Sequence, residues 1–411
     1  MTEVDPEVAD RIDAVWRDEW GRLLALLVAH YRRLDLAEEG LADAFESAAR
    51  TWPGDGVPSN PPAWLLTAAR RRITDRLRSD AVLARKMPLL AVDASLTEEA
   101  QRVMADAAGR GGLGVHDERL RLVLLCAHPS LAPEAGAALT LRLVLGVTTA
   151  DIARLFLVST STMAARLTRA RQRLAGARFT VPEGAELAER LGVVAEVAYL
   201  AFTAGYAPGS GADVHRPELA AEAIRLVRLI RELAPGSTDL DALLALMLLQ
   251  HARRDARVAG EDLVLLPDQD RSRWHEAEVG EAFDLLTPLV DAPATRWILE
   301  ALIASEHAVA PRAEDTSWLR IATLYAELEE LTGSPVVRLN RAVAVAEADG
   351  PLAGLALLEG LELPGHRLPA TRAQLLTRAG DLERGRAELE RAIALCENEP
   401  ERRALEALRD R

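Results

Sequence analysis

Residues 148–178 read T-T-A-D-I-A-R-L-F-L-V-S-T-S-T-M-A-A-R-L-T-R-A-R-Q-R-L-A-G-A-R. Thr148 followed by Asp151 has the spacing of a capping box, which starts a short helix. Ile152, Leu155 and Phe156 fall on one face of that helix. Leu157 and Val158 make a break. The Ser159 hydroxyl can then accept an orphan backbone N–H and start a second helix. Met163, Leu167, Ala170 and Leu174 recur at helical spacing and give this second helix a buried stripe. Thr160, Ser161, Thr162, Ala165, Arg166, Arg169, Arg171 and Arg173 cover its other faces. The spacing predicts a helix-turn-helix, whose second helix would set its first turn against base edges in a major groove. Small hydroxylic residues permit close approach there, and arginines reach phosphates or guanine edges. An ordinary amphipathic helix pair with solvated arginines has the same pattern, so the rest of the chain must decide.

The chain has 411 residues, enough for two or three domains, and a net charge of −14. No uninterrupted apolar run reaches the length of a membrane span. The start, M-T-E-V-D-P-E-V-A-D, is acidic and does not read as a signal peptide. Cys126 and Cys396 are far apart and make no metal-ligand spacing. These features predict a soluble, cytoplasmic protein. The negative average hides an asymmetry. Residues 1–180 hold 24 basic and 23 acidic side chains, whereas residues 181–411 hold 25 and 40. Positive charge concentrates at 64–86 (seven basic, two acidic) and at 148–178 (six basic, one acidic). Local positive fields on the N-terminal half suit docking to DNA, and the acidic C-terminal half should stay off the duplex.

Residues 10–34 read as a helix with Ile12, Trp16, Trp20, Leu23, Leu24, Leu27 and Tyr31 on its apolar side. Leu36 to Trp52 reads as a second, with Leu41, Ala44, Phe45 and Ala48 inward and Glu38, Glu39, Asp43 and Glu46 opposite. The Pro- and Gly-rich stretch from Pro53 to Pro62 predicts a loop. A third helix starts near Pro62, since proline is tolerated in a first turn. It turns Trp64, Leu65, Ala68, Ile73 and Leu77 inward and carries Arg70, Arg71, Arg72, Arg76 and Arg78 elsewhere.

The phrases A-E-E-G-L-A-D-A-F (37–45) and W-L-L-T-A-A-R-R-R-I-T-D (64–75) resemble conserved region 2 of the bacterial extracytoplasmic-function sigma factors. A-A-R-L-T-R-A-R-Q-R-L (164–174) resembles their region 4, in the right order. H-P-S-L-A-P-E-A, L-L-P-D-Q-D-R-S-R-W, A-P-R-A-E-D-T-S-W and P-V-V-R-L-N-R-A-V-A-V-A-E-A-D-G-P extend the likeness to a subgroup with a long, tetratricopeptide-like helical C-terminal extension. The resemblance implies an all-α chain: region 2 at 1–86, a linker at 87–115, region 4 at 116–180 and a helical regulatory domain at 181–411. It implies two partners, core RNA polymerase and promoter DNA, with no membrane.

By the same resemblance, Glu39, Asp43 and Glu46 would meet the polymerase. Asn60, Trp64, Arg70, Arg71 and Arg76 would face the −10 element, with Asn60 near a captured base and Trp64 either at that base or in the core. Ser159, Thr160, Thr162, Ala165, Arg166 and Arg169 would face the −35 element. Two departures stand out. Ala42-Asp43 replaces the family's common Gln-Glu, and Ser159-Thr160-Ser161 replaces a common Pro-Glu-(Gly or Ala). The second implies an altered promoter preference.

Beyond Arg178, Leu187–Phe202 and Pro217–Leu233 read as amphipathic helices, and the apolar Asp239–Arg254 as a core helix. A-D-G-P-L-A-G-L-A-L-L-E (348–359) aligns with A-G-D-L-E-R-G-R-A-E-L-E (379–390) at an offset of 31 residues. Stacked helical hairpins of this kind present a concave surface for a protein or peptide partner. The net −15 of this half also allows it to cover basic patches on the DNA-binding half. No zinc-protease, paired-cysteine or phosphate-loop motif occurs, and Lys86 is the only lysine. G-R-G-G-L-G (109–114) lacks a preceding strand and reads as linker. D-Q-D-R-S-R-W reads as a capping and salt-bridging turn rather than a metal site. No catalytic residue, metal or cofactor is therefore expected. The rival reading is a helix-turn-helix regulator with a helical sensor that does not replace sigma; a hidden-pocket enzyme is the remoter one.

Overall fold

The computed structural model describes residues 6–31, 33–84, 122–156, 158–174, 184–206, 217–259, 262–396 and 398–409. The expected linker at 87–115, including the glycine-rich run at 109–114, lies outside these residues. The chain forms two compact units, residues 1–197 and 198–411.

In the first unit, α1 (Pro6–Tyr31), α2 (Leu34–Asp55) and α3 (Pro61–Ala84) pack together. Their core is Trp20, Leu23, Leu24, Leu27, Leu41, Phe45, Leu65 and Ile73, all nearly inaccessible. Two expectations are corrected. Pro53 lies inside α2, not in a loop. The buried Trp52 anchors that last turn, and Gly56, at φ 83°, donates its N–H to the Trp52 carbonyl and ends the helix. The inward face of α3 is Leu65, Leu66, Ala69 and Ile73; Trp64, Ala68 and Leu77 sit half-buried at its margin. The face is set by α2, whose Gly40 lets Ile73 come so close that a Cβ there would lie 2.5 Å from Ile73 Cγ1.

The same unit continues with a helical segment at 122–126, then α4 (Pro133–Leu143), α5 (Thr149–Leu155) and α6 (Thr160–Leu174). Thr148 caps α5 by accepting the Asp151 N–H at 3.1 Å, and its hydroxyl donates to the Asp151 carboxylate at 2.6 Å. Ser159 caps α6 by accepting the Thr162 N–H at 3.2 Å. Met163, Leu167, Ala170 and Leu174 form the buried stripe of α6, as the spacing predicts. α7 (Gly184–Tyr206) follows, and the division between the units falls within it.

The second unit is built from α8 (Pro217–Arg231), α9 (Thr238–His251), α10 (Glu276–Leu286), α11 (Arg296–Val309), α12 (Trp318–Thr332), α13 (Pro335–Asp349), α14 (Pro351–Leu357), α15 (Arg367–Arg378), α16 (Leu382–Leu395) and α17 (Glu399–Arg409). The fold is all-α; a two-residue antiparallel ladder, Val258–Ala259 against Asp262–Leu263, is the strand pairing among the described residues. α9 is buried on nearly every side, as its composition predicts. Fully burying each of its leucines stabilises the unit by roughly 1.5–3 kcal/mol before chain entropy is counted. D-Q-D-R-S-R-W forms a capped turn. Asp270 accepts the Ser272 N–H, while Arg271 stacks on Trp274 and donates to the carbonyls of His307 in α11 and of Ala310 just beyond it.

The 31-residue sequence offset has a structural counterpart. A Cβ on Gly354 would lie 2.5 Å from the Ala342 carbonyl oxygen, and one on Gly385 would lie 3.3 Å from the Ala373 carbonyl oxygen. Both glycine and alanine positions are displaced by the same 31 residues. The hairpins α13–α14 and α15–α16 therefore cross at equivalent points, where only glycine lets the helices touch.

Gly354→Ala should destabilise the second unit by about 1–3 kcal/mol, because a backbone carbonyl cannot move aside. Gly280→Ala, with open space around it in α10, should stabilise by up to about 1 kcal/mol through helix propensity. Chemical denaturation of the two variants checks this; equal shifts would show that the crossing is not tight.

Candidate nucleic-acid interface

The first turns of α6 are open to solvent. Ser159, Thr160, Ser161, Thr162, Ala165 and Arg169 are exposed, and Arg166 is half-buried. The Arg166 guanidinium lies 5.8 Å from the centre of the Phe156 ring, a cation–π contact that ties it to the turn before the helix. The Ser159 hydroxyl is shared with Ser161 (3.0 Å) and Thr162 (2.8 Å). The tip of the helix thus presents small hydroxyls, a methyl and two guanidiniums. Such a surface is shaped for a groove.

The other predicted residues are distributed over α2 and α3. Asn60 is exposed and caps α3, its Oδ1 accepting the Ala63 N–H at 3.2 Å. Trp64 packs edge-on against Trp52 with centroids 5.6 Å apart, so it is partly core and partly surface. Arg71 and Arg76 are exposed, and Arg70 is half-buried. Arg76 pairs with Glu39, which joins a residue expected at DNA to one expected at the polymerase. Asp43 is half-buried. Glu46 is exposed, with Arg50 at 3.8 Å.

Sequence reasoning missed a contact that ties the two motifs together. Glu38 is not solvated. Its side chain is 12% exposed and accepts from Arg171 of α6 through both oxygens, at 2.6 and 2.7 Å. Arg142 of α4 approaches the same carboxylate at 3.5 Å, with its guanidinium over the Trp16 and Trp20 rings. Trp16 Nε1 donates to the Gly146 carbonyl at 3.2 Å, and a Cβ on Gly21 would lie 2.5 Å from the Val144 carbonyl oxygen. The helix-turn-helix is docked on α1 and α2 along this seam. A signal was present: Glu38 precedes Leu41 by three residues and Phe45 by seven, which places it at the edge of the buried stripe.

Comparison with known proteins agrees with this geometry. Residues 121–174 match the family model for sigma-70, region 4, and residues 190–289 match a family described as of unknown function (DUF6596). The docked helix-turn-helix is thus a sigma-70 region 4 module, which supports a sigma-factor-like DNA-binding role for this part of the chain. An uncharacterized protein of Rhizobium meliloti (strain 1021) is 38% identical over 388 residues, covering 92% of this chain and 90% of that one. The chain belongs to the same family as that protein. No solved structure matches it. Among the described residues no helix is long and apolar enough to cross a membrane.

Glu38→Ala should weaken the docking by about 3 kcal/mol or more, since it leaves two largely buried guanidiniums without their shared carboxylate. Gly21→Val should open the same seam by steric conflict with the Val144 carbonyl. Hydrogen exchange over residues 122–174 should rise in both variants. Unchanged protection in both would mean that the seam does not hold the module.

Proposed function

We propose that the protein is an alternative sigma factor of the extracytoplasmic-function type. It directs core RNA polymerase to promoters with −10 and −35 elements and supports initiation. The observation that carries this reading is the exposed, hydroxyl- and arginine-bearing first turn of α6 within a region 4 module. In this reading residues 1–86 act as region 2, 87–115 as linker, 116–180 as region 4 and 181–411 as a tetratricopeptide-like regulatory domain that receives a protein or peptide partner. The protein works in the cytoplasm.

Each site residue then has a task. Thr160, Thr162 and Ala165 meet base edges at the −35 element, with Ser159 holding the helix start. Arg166 and Arg169 reach guanine edges or phosphates. At the −10 element, strand opening exposes single bases, which call for aromatic and cationic surfaces rather than groove readout. Asn60 and Trp64 supply that surface, and Arg70, Arg71 and Arg76 follow the backbone. Glu39, Asp43 and Glu46 face a basic helix of the polymerase, where complementary charge sets register and on-rate. The Glu38 seam joins the two DNA-contacting modules, so engaging two separated promoter elements requires it to open.

Arg166→Ala should weaken binding to a selected −35 duplex by about 1–3 kcal/mol if the guanidinium pairs with a guanine edge. A titration showing no loss would remove that role. The joint variant Asp43→Arg, Glu46→Arg should bind sigma-free core polymerase more weakly than the wild type does, with DNA binding unchanged. If the wild-type chain binds duplex but not core, the protein is a helix-turn-helix regulator that does not replace sigma.

A further inference from the structure

Three helix ends of the second unit meet at one point. His366 stands just before α15, Cys396 just after α16, and Glu401 in the first turn of α17. Each backbone is fixed where its helix begins or ends. The His366 carbonyl accepts the Ala370 N–H at 2.9 Å, the Cys396 N–H donates to the Ile393 carbonyl at 3.2 Å, and the Glu401 N–H donates to Asn398 Oδ1 at 2.9 Å. The side chains converge from these anchors. His366 Nε2 lies 2.8 Å from Glu401 Oε2, and the thiol of the buried Cys396 donates to the Asn398 carbonyl at 3.4 Å. One imidazole nitrogen, one sulfur and one carboxylate oxygen thus lie within 4.8 Å of one another.

We propose that His366, Cys396 and Glu401 bind a zinc ion. Imidazole, thiolate and carboxylate are the side-chain ligands that zinc accepts. Bond lengths of about 2.0–2.3 Å at tetrahedral angles put neighbouring donors about 3.3–3.5 Å apart, so small side-chain adjustments suffice. The nitrogen and oxygen, now in contact, part slightly to admit the ion. One thiolate and one carboxylate balance its two charges. Binding requires the thiolate, so the Cys396 proton goes to solvent and its hydrogen bond to Asn398 is given up. The His366 and Glu401 side chains are 19% and 27% exposed, which leaves the fourth tetrahedral position to water. The sulfur disfavours magnesium and calcium, which take oxygen ligands.

The His366–Glu401 pair alone joins α15 to α17. The thiol adds α16, so an ion would clamp three helices at once. α17 otherwise packs chiefly on α16 and on the short strand Asp262–Leu263. A ligand that binds only the assembled helix ends stabilises that assembly by mass action. Spacing conceals the set in the sequence, because His366 lies a whole hairpin upstream of the other two. This assignment stands apart from the promoter reading, because metal binding is measured without DNA or polymerase.

The test uses the tag-free, reduced, full-length chain, freed of metal by a chelator. Cobalt(II) chloride is the probe, since zinc itself has no visible spectrum. One equivalent of cobalt should give thiolate charge-transfer absorption and the intense visible bands of a tetrahedral site, and zinc chloride should abolish both. Cys396→Ser should lose the charge-transfer band, whereas Cys126→Ser, at the chain's other cysteine, should keep it. His366→Gln and Glu401→Gln should bind zinc at least about tenfold more weakly, with circular dichroism kept. Zinc should slow hydrogen exchange over residues 399–409 in the wild type and not in Glu401→Gln. A wild-type chain without a cobalt–thiolate band would overturn the proposal. So would a band that survives Cys396→Ser, or zinc affinity unchanged in both His366→Gln and Glu401→Gln. Exchange over residues 399–409 that zinc leaves unaltered would overturn the clamp.

Discussion

One carboxylate, Glu38, is shared by guanidiniums from two helices of the DNA-binding module. Arg171 meets it with two hydrogen bonds and Arg142 adds a second cation, braced on the indoles of Trp16 and Trp20. A largely buried charge is tolerated only when its partners are close and well aimed. Around it the backbones meet tightly enough that Gly21 has no room for a side chain. The arrangement fixes where the rest of the unit points. Arg171 turns toward α2, while Thr162, Ala165 and Arg169 on the other faces of α6 are exposed. The contact that holds α6 thus also sets which of its side chains stay exposed.

The C-terminal unit follows a different constraint. Its helices pair as hairpins that touch where glycine removes the side chain, and the same crossing recurs 31 residues on. Beside the α13–α14 crossing, Leu339, Leu358, Leu361, Leu368 and Leu375 gather in one buried cluster, and Leu299, Ile321, Leu324 and Leu328 of α11 and α12 form another. The helices also line a cavity beside α11, where Glu300 accepts from Tyr199 and from Arg296. In a repeating stack of this sort each hairpin is stabilised by its neighbours.

Much of this architecture was legible in the sequence. The helix-turn-helix and its two caps follow from Thr148, Asp151, Ser159 and the Met163–Leu174 stripe, because capping and helical period are local. The largely apolar α9 and the glycine-bearing repeat are visible for the same reason. What escaped depends on contacts distant in the chain. Glu38 lies 133 residues from Arg171, so an acid at the margin of a stripe was read as solvated. Pro53 reads as a helix breaker, but a buried Trp52 beside it carries α2 one turn further. Trp64 was left between core and surface, and the structure places it at the boundary between them. The cavity had no signal at all, since its polar groups come from α7, α9, α11, α12 and α13 and share no motif.

The central claim is that the chain is a sigma factor and not merely a DNA-binding protein. The most direct measurement mixes the full-length chain with sigma-free core polymerase on fragmented genomic DNA and maps transcript 5′ ends. The account predicts discrete new start sites that core alone does not use, each preceded by a shared two-part sequence. Site-specific DNA binding without any new start site would contradict it.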